Sequence, residues 1–386
     1  MRSWSKINQA SAAVSNRRLV IHLLRESGPL SRRQLAQRSG LQSSTLTYIT
    51  RELMANGVIR DCGKLSKAGA GKKQSLLEIN PGLGWVVGIG LEHSSASLVF
   101  LNTQGEVIDR DRVSIREPWD MLAQTLRARV HSWVARHGEP EGALLGVGVG
   151  VPGIVDPHEG VVLHSTRFAI KSWPLAKVFS QTFEVPVVID NDSKLATQAE
   201  SRIGNAQNKR DFVYFLLNAT EDETGYRLSS LGSSLFLNGM LHRGARFGSG
   251  EINTQIEGEP YGSIRAQDML TISDPKGTLD ERIQKLADHM VSSLVAICDL
   301  VDPAAVVLGG NLGICNEQMI QYIESRLNAR IAHVPGRYIE VLSSRHMDHG
   351  VSLGAAITAL DAALLHGSLP VAASVARQAV PVVSEN

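Results

Sequence analysis

The stretch Leu30–Gln74, LSRRQLAQRSGLQSSTLTYITRELMANGVIRDCGKLSKAGAGKKQ, constrains the fold more than any other part of the chain. Ser31 followed three residues later by Gln34 is a capping box, which predicts a helix start. Leu35 and Ala36 supply the inward face of that helix. Ser39-Gly40-Leu41 then reads as a tight turn, with Gly40 free to take a positive φ. Ser43 or Ser44 opens a further helix that runs to about Asn56-Gly57, with Leu46, Ile49 and Leu53 on one side. Upstream, Asn16 is placed to cap NRRLVIHLLRES, in which Leu19, Val20, Leu23 and Leu24 share a face, and Gly28-Pro29 ends it. Downstream, Val58-Ile59-Arg60 and Leu76-Leu77-Glu78-Ile79 read as paired strands around a Gly- and Lys-rich loop. This is the spacing of a winged helix–turn–helix.

The last helix of the motif turns Gln42, Ser43, Ser44, Thr45, Thr47, Tyr48 and Arg51 outward. Short hydrogen-bonding groups and one long cation at the N-terminal half of a helix suit phosphates and base edges in a major groove. Arg32 and Arg33 flank them, and a hairpin wing would bring Lys64, Lys67, Lys72 and Lys73 to phosphates or a minor groove. A polar stripe alone is more often a solvated helix face. The charge separates the two readings: residues 1–82 hold 14 Lys/Arg against four Asp/Glu, a balance of +10, and the remaining 25 bases and 34 acids leave −9. A basic head on an acidic body points to a polyanion at one end, double-stranded DNA.

No run approaches 18 consecutive apolar residues, so no membrane partner is expected. The N-terminus MRSWSKINQASAAVSN lacks the apolar core of a secretory signal. Cys62, Cys298 and Cys315 show no metal-ligand spacing and are odd in number, which suits reduced thiols and a cytoplasmic location.

From about residue 83 the pattern changes. Trp85–Gly90 is a buried strand, followed by a hairpin turning at Asn102–Gly105. Residues 118–137 have helical periodicity. Leu144–Val151 and Glu184–Asp190 are further strands, the first ending in Pro152-Gly153 and the second leading into a helix at NDSKLATQAE. Strands at 212–217, 233–237 and 306–308 alternate with helices at 278–301 and 315–330. Hairpins followed by helices and parallel strands, occurring twice, indicate a two-lobed α/β body.

The order of GVGVGVPGIVD (Gly146–Asp156), VIDNDSKLATQAE (Val188–Glu200), LNGMLHRGARFGSGEI (Leu237–Ile252), VVLGGN (Val306–Asn311) and LGAAITAL (Leu353–Leu360) resembles the ROK family of repressors, open reading frames and sugar kinases, over roughly residues 15–365. The resemblance implies an actin-like, ribonuclease-H-like double fold behind the winged helix. The expected division is 1–82 for the head and 83–192 for a first lobe, completed by a helix at about 351–366. A second lobe takes 193–350, and 367–386 is a poorly ordered tail. By resemblance, Asp192 matches the carboxylate that acts as base in the family's kinases, Asn191 its partner, Glu251 a sugar-gripping carboxylate, and Pro152-Gly153 the loop over the sugar. The plain reading of Asn191-Asp192 is a helix N-cap, compatible with either role.

Several positions depart from the family pattern. The first phosphate motif reads Gly90-Leu91-Glu92-His93-Ser94-Ser95, and the second Ser230-Leu231-Gly232-Ser233-Ser234 keeps one glycine of three, with Glu221-Asp222-Glu223 just before it. Side chains and acids stand where backbone amides should approach phosphate. The family's structural zinc needs a His where this chain has Thr254, and Ser263 falls near the last Cys. The expectation is therefore no zinc, no cofactor and no catalysis. It is instead a DNA-binding regulator, a repressor of carbohydrate genes, with Pro152, Gly153, Asn191, Asp192, Glu251 and Thr254 around a sugar or sugar-phosphate effector. A homodimer or dimer of dimers would present paired heads to operator DNA. A ligand-independent DNA-binding dimer and an active sugar kinase are the alternatives.

Overall fold

The computed structural model describes residues 9–65, 74–92, 94–115, 121–138, 140, 142–222, 225–251, 281–310 and 317–366. The head opens with α1 (Gln9–Ser27), then β1 (Leu30–Ser31), α2 (Arg32–Ser39), α3 (Ser43–Ala55), β2 (Ile59–Leu65) and β3 (Gln74–Ile79). Ser31 caps α2 with the reciprocal Gln34 bonds, and Gly40 takes φ 69° at its C-terminus. Asn16 does not cap α1, contrary to the sequence expectation. The helix starts seven residues earlier, because Ala10, Ala12 and Ala13 lose little entropy on becoming helical. The strands pair in the order β1-β3-β2, and Leu77 and Ile79 of β3 close over Leu35, Leu46, Ile49 and Leu53.

The body follows with β4 (Gly84–Leu91), β5 (Ser95–Asn102), β6 (Val107–Ser114), α4 (Leu122–His137), β7 (Ala143–Val151), β8 (Ile154–Asp156), β9 (Val161–Ser165), β10 (Ile170–Trp173), α5 (Leu175–Phe183), β11 (Val187–Asn191) and α6 (Asp192–Ile203). Glu184, read from sequence as the start of a strand, instead ends α5 in the left-handed conformation (φ 59°), so the strand begins at Val187. Then come β12 (Phe212–Asp222), β13 (Gly225–Leu237), β14 (Met240–His242), α7 (Glu281–Val301), β15 (Ala305–Gly309), α8 (Glu317–Ile331), β16 (Glu340–Ser343) and α9 (Gly350–His366).

Among the described residues two five-stranded sheets form, in the orders β11-β7-β4-β5-β6 and β14-β13-β12-β15-β16. In the first, β4 pairs parallel with β7 and antiparallel with β5. In the second, β12 pairs parallel with β15 and antiparallel with β13. Helices α4 and α5 cover one face of the first sheet through Leu126, Trp133 and Phe179, and α7 and α8 cover the second through Leu294 and Ile323.

Helices α6 and α9 pack on each other and join the sheets. Glycines set how closely they approach: a Cβ on Gly88 would lie 1.9 Å from the Ser352 carbonyl oxygen, one on Gly148 2.0 Å from that of Ala355, and one on Gly354 1.8 Å from that of Leu195. The alternating glycines of β4 and β7 thus make room for α9, and Gly354 makes room for α6. One apolar cluster runs unbroken from Val20, Ile21 and Leu24 of α1 into Leu353, Ile357 and Leu360 of α9, so head and body share a core.

Candidate DNA interface and ligand cleft

On α3, Gln42, Ser43, Ser44, Thr47, Tyr48 and Arg51 are exposed and Thr45 is half-buried, while Leu46, Ile49, Thr50 and Leu53 face inward. Tyr48 is 67% exposed, high for so large a ring. Gln42 occupies the N-cap position without using its side chain there, which leaves its amide outward. Thr47 donates to the Ser43 carbonyl oxygen at 2.7 Å. Arg33 is exposed on α2. Arg32 differs: its Nε donates to Thr50 Oγ1 at 3.1 Å and its Nη2 lies 3.3 Å from Met54 Sδ. It braces α2 against α3. Lys64 stands in β2, but its side chain, together with Lys67, Lys72 and Lys73, lies outside the described residues.

In the body, the strand end and helix start at Asn191-Asp192 hold one cluster. Asn191 Oδ1 accepts from the Lys194 amide at 3.1 Å and from Ser193 Oγ at 2.7 Å, and Nδ2 donates to the Gly153 carbonyl oxygen at 2.9 Å. It therefore caps α6 and fastens the Pro152-Gly153 turn. Pro152 in turn accepts from Ser165 Oγ at 2.6 Å. Gly153 has φ 132°, and a Cβ there would sit 2.3 Å from the His164 carbonyl oxygen, which accounts for the glycine.

Asp192 is 7% exposed. Its Oδ1 accepts from the Ser193 amide at 2.7 Å, and Oδ2 makes no hydrogen bond among the described residues. Burial pushes its carboxyl up to about 6. The Glu251 carboxylate acts in the same direction, against the Ser193 amide and the charges of Arg167 and Lys194. Lys194 is itself buried, its ammonium donates to the Phe247 carbonyl oxygen at 3.1 Å, and desolvation holds its pKa down. Beneath them Arg243 pairs with the buried Asp190. Ionised at neutral pH, Asp192 Oδ2 is an acceptor for a ligand hydroxyl.

Glu251 is exposed and reaches the same region through Gly250 (φ 87°), whose carbonyl oxygen accepts from Ser233 Oγ at 2.7 Å. Thr254 and Ser263 lie outside the described residues. Among those described, no group of three His, Cys, Asp or Glu is arranged to hold a metal.

The altered phosphate motifs have internal partners. Ser233 and Ser234 are buried against α6: the Ser193 hydroxyl that faces Asn191 Oδ1 also lies 2.8 Å from the Ser233 carbonyl oxygen, the two acceptors sharing its one proton, and Ser234 Oγ meets both the Ser193 carbonyl oxygen and Thr197. In the first motif Glu92 accepts from Ser95 Oγ at 2.9 Å and is gripped by Arg112 at 2.8 Å. His93 and Glu223, and the side chains of Glu221, Asp222 and Ser230, lie outside the described residues.

Residues that sequence reasoning passed over join the head to the body. Arg25 of α1 pairs with Asp361 of α9, whose second oxygen takes Arg202 of α6 at 3.3 Å. Arg202 Nη1 also lies 3.3 Å from His22 Nδ1 of α1. Thr103 Oγ1 donates to the Asn80 carbonyl oxygen at 2.8 Å, and Asn80 Nδ2 donates to that of Gly57 at 3.0 Å, at the end of the head. The one sequence signal for the first group is that Arg18, His22 and Arg25 recur along one face of α1.

Comparison with known proteins places these two regions in matching order. A model of winged helix-turn-helix DNA-binding domains matches residues 15–60, and a model of the ROK family matches residues 86–254. The xylose repressor of Caldicellulosiruptor bescii is 26% identical over 239 residues, 61% of this chain, and the alignment spans 57% of that protein's length. The xylose repressor of Bacillus spizizenii is 22% identical over 371 residues, 88% of this chain and 93% of that protein. A crystal structure of a ROK family transcriptional regulator, a homolog of the Escherichia coli MLC protein, superposes with a TM-score of 0.74 at 20% identity, covering 92% of this chain and 97% of the other. That likeness extends the shared fold through both sheets and the head.

Proposed function

The chain belongs to the ROK family, with a winged helix-turn-helix ahead of its ROK body, and we propose that it is a DNA-binding transcriptional regulator of carbohydrate-related genes, a repressor gated by a sugar or sugar derivative. The observation that carries this reading is the outward row on α3, where Gln42, Ser43, Ser44, Thr47, Tyr48 and Arg51 are exposed on a helix whose other face is fully packed. The ROK body behind it takes the actin-like form, with one lobe from 83–192 plus α9 and the other from 193–350. Two copies would set two heads on a pseudo-palindromic operator. The relatives' names give the sugar connection: two are xylose repressors.

In this reading the effector lies against Asp192, Gly153 and Glu251, with Asp192 Oδ2 accepting from a sugar hydroxyl. Asn191 positions the loop, because its own polar atoms already have partners. No phosphoryl transfer is assigned. The Glu92 carboxylate stands in the first phosphate motif, and the Ser233 carbonyl oxygen and the Ser234 hydroxyl are bonded to α6, so an acid and side chains stand where a nucleotide's phosphates would approach glycine backbone. A ligand-independent dimer is the second reading, and the occupied side chain of Asn191 is the observation in its favour.

The test is fluorescence anisotropy on duplexes from the DNA flanking the gene, with and without pentoses, hexoses and amino sugars. Sequence-specific binding that a sugar weakens supports the gated reading. Specific binding that no sugar changes, with no thermal shift from any of them, supports the second. No preference over random duplex overturns both. Coupled ATP consumption abolished by Asp192→Asn would restore the kinase.

A further inference from the structure

A cavity of about 960 Å³ lies between α1 of the head and the body, at the far end of α6 from Asp192. The two ends of α6 involved, Asp192 and Arg202, are ten residues apart, about 15 Å along a helix. Six of the residues lining this cavity are Arg or Lys, and one, Asp361, is acidic.

Ion pairing accounts for only part of that imbalance. Lys209 pairs with Glu340 and Arg243 with Asp190, both acids outside the cavity wall. Asp361 is shared between Arg25 and Arg202, so one negative charge meets two positive ones. Arg18 and Arg210 are exposed at the cavity and make no side-chain hydrogen bond or ion pair among the described residues. About three positive charges are left over, on walls contributed by both the head and the body. Donors are in surplus as well: the Nε–H groups of Arg25 and Arg243 are buried and find no acceptor among the described residues. Gln198, Ser201 and Asn208 add neutral polar groups around the same space. The volume falls in the range of small-molecule sites, and guanidinium forks match phosphate oxygens.

We propose that this cavity binds a small phosphorylated metabolite, a phosphate ester carrying a polar body, with Arg18, Arg210 and the Arg25–Arg202 pair meeting its phosphate. Its α6 wall, at Gln198, Ser201 and Arg202, lies toward the far end of the helix from Asp192, and Arg243 is the side chain it shares with the region beneath the cleft; the chemistry differs, since the cleft offers a carboxylate to hydroxyl groups and the cavity offers cations to an anion. A ligand held here touches α1 on one side and α6 and α9 on the other, so its binding stiffens the joint on which the head is carried. The proposal does not rest on the DNA-binding reading, because the binding is measured without DNA.

The experiment is isothermal titration and thermal melting of the full chain with glucose 6-phosphate, glycerol 3-phosphate and pyrophosphate. Glucose and sodium sulfate at equal ionic strength serve as controls. The expected result is saturable binding of at least one phosphate probe near one per chain, with a raised melting midpoint. In Arg18→Ala/Arg210→Ala, binding weakens tenfold or more. Both side chains are exposed and neither makes a hydrogen bond or ion pair among the described residues, so the variant's unliganded melting midpoint stays at the parent's value. Four results overturn the proposal: no phosphate probe binds; sulfate binds as tightly as the probes; phosphate binding survives the double substitution but is lost in Asp192→Asn; or duplex DNA, and no small phosphate, depends on Arg18 and Arg210.

Discussion

Arg17 Nη1 donates to the Leu365 carbonyl oxygen at 3.3 Å, and Nη2 of the same guanidinium meets Glu52 on α3. One side chain thereby fastens α3 to the last turn of α9, where helix carbonyls otherwise lack partners and a cation is favoured. Helix α9 in turn lies on α6 at the closeness Gly354 permits, and α6 begins at Asn191-Asp192. A continuous set of packed helices therefore runs from the candidate ligand cleft to the candidate DNA surface. For an effector to use it, the effector must bind two arrangements of the joint with different free energies.

Arg17→Ala removes both contacts. The pair is partly buried on both sides, so the expected loss is about 1 kcal/mol of stability. A double-mutant cycle with Glu52→Gln should return a coupling of roughly 0.5–1 kcal/mol. Urea melts of the four proteins measure it, and additive losses would mean that the Arg17–Glu52 contact contributes nothing.

Asp192 gives a pH dependence of known sign. Its carboxyl titrates at about 6 in the folded protein against 3.8 for the free group, so the folded state holds this proton more tightly than the unfolded chain does. The stability this contributes is fully present below pH 3.8 and is lost as pH rises through 6, with no further change above. Keeping the buried carboxyl ionised at neutral pH costs the fold roughly 3 kcal/mol. Asp192→Asn keeps an oxygen for the Ser193 amide and removes the charge. The variant should melt above the parent at pH 7.5 and converge with it near pH 4. Taking the difference between the two proteins cancels the half-buried histidines His346 and His349, whose pKa values desolvation depresses. A variant less stable than the parent at pH 7.5 would show that Asp192 is stabilised as an anion.

Gly148→Ala tests why β7 carries glycines. Its Cβ would lie 2.0 Å from the Ala355 backbone oxygen, and backbone cannot rotate away as a side-chain tip can. The expected loss is about 3 kcal/mol, at the upper end for overpacking. Gly146→Ala, whose Cβ would meet the Pro186 carbonyl oxygen at 3.3 Å, should lose far less. Equal denaturation midpoints for the two variants would dissociate the glycines from the α9 contact.

These residues also mark what the sequence makes legible. The helix–turn–helix could be read because its signals are local: Ser31 and Gln34 are one turn apart, and Gly40 alone fixes the turn. The buried strands from 84 to 191 could be read from their apolar runs and flanking turns. The short strands β8, β9 and β10 could not, because IVD, VVLHS and IKSW are of mixed polarity and too brief to show a period. In the cleft, Asn191 as a cap follows from its place before a helix. That its amide also holds Gly153, 38 residues away, depends on the sheet register. The Arg25–Asp361–Arg202 set spans separations of 336 and 159 residues, and no periodicity reaches so far.

Arg32 and Arg33 are adjacent in sequence and identical in charge, and the fold gives them different surroundings. Arg32 is held by Thr50 and Met54 on α3, whereas Arg33 is exposed. Arg33→Ala and Arg51→Ala should each weaken DNA binding and, where the side chain meets a phosphate, lower the salt slope of log K by about 1. Arg32→Ala should instead leave the salt slope at the parent's value and lower the melting midpoint, because Thr50 is fully buried and loses the donor to its hydroxyl. Tyr48→Ala, which removes a 67% exposed ring, should cost binding without costing stability. Anisotropy titrations at four salt concentrations, paired with melts of the same proteins, separate these effects. If Arg32→Ala flattens the salt dependence as much as Arg33→Ala does, Arg32 leaves Thr50 on binding and reaches the phosphate itself.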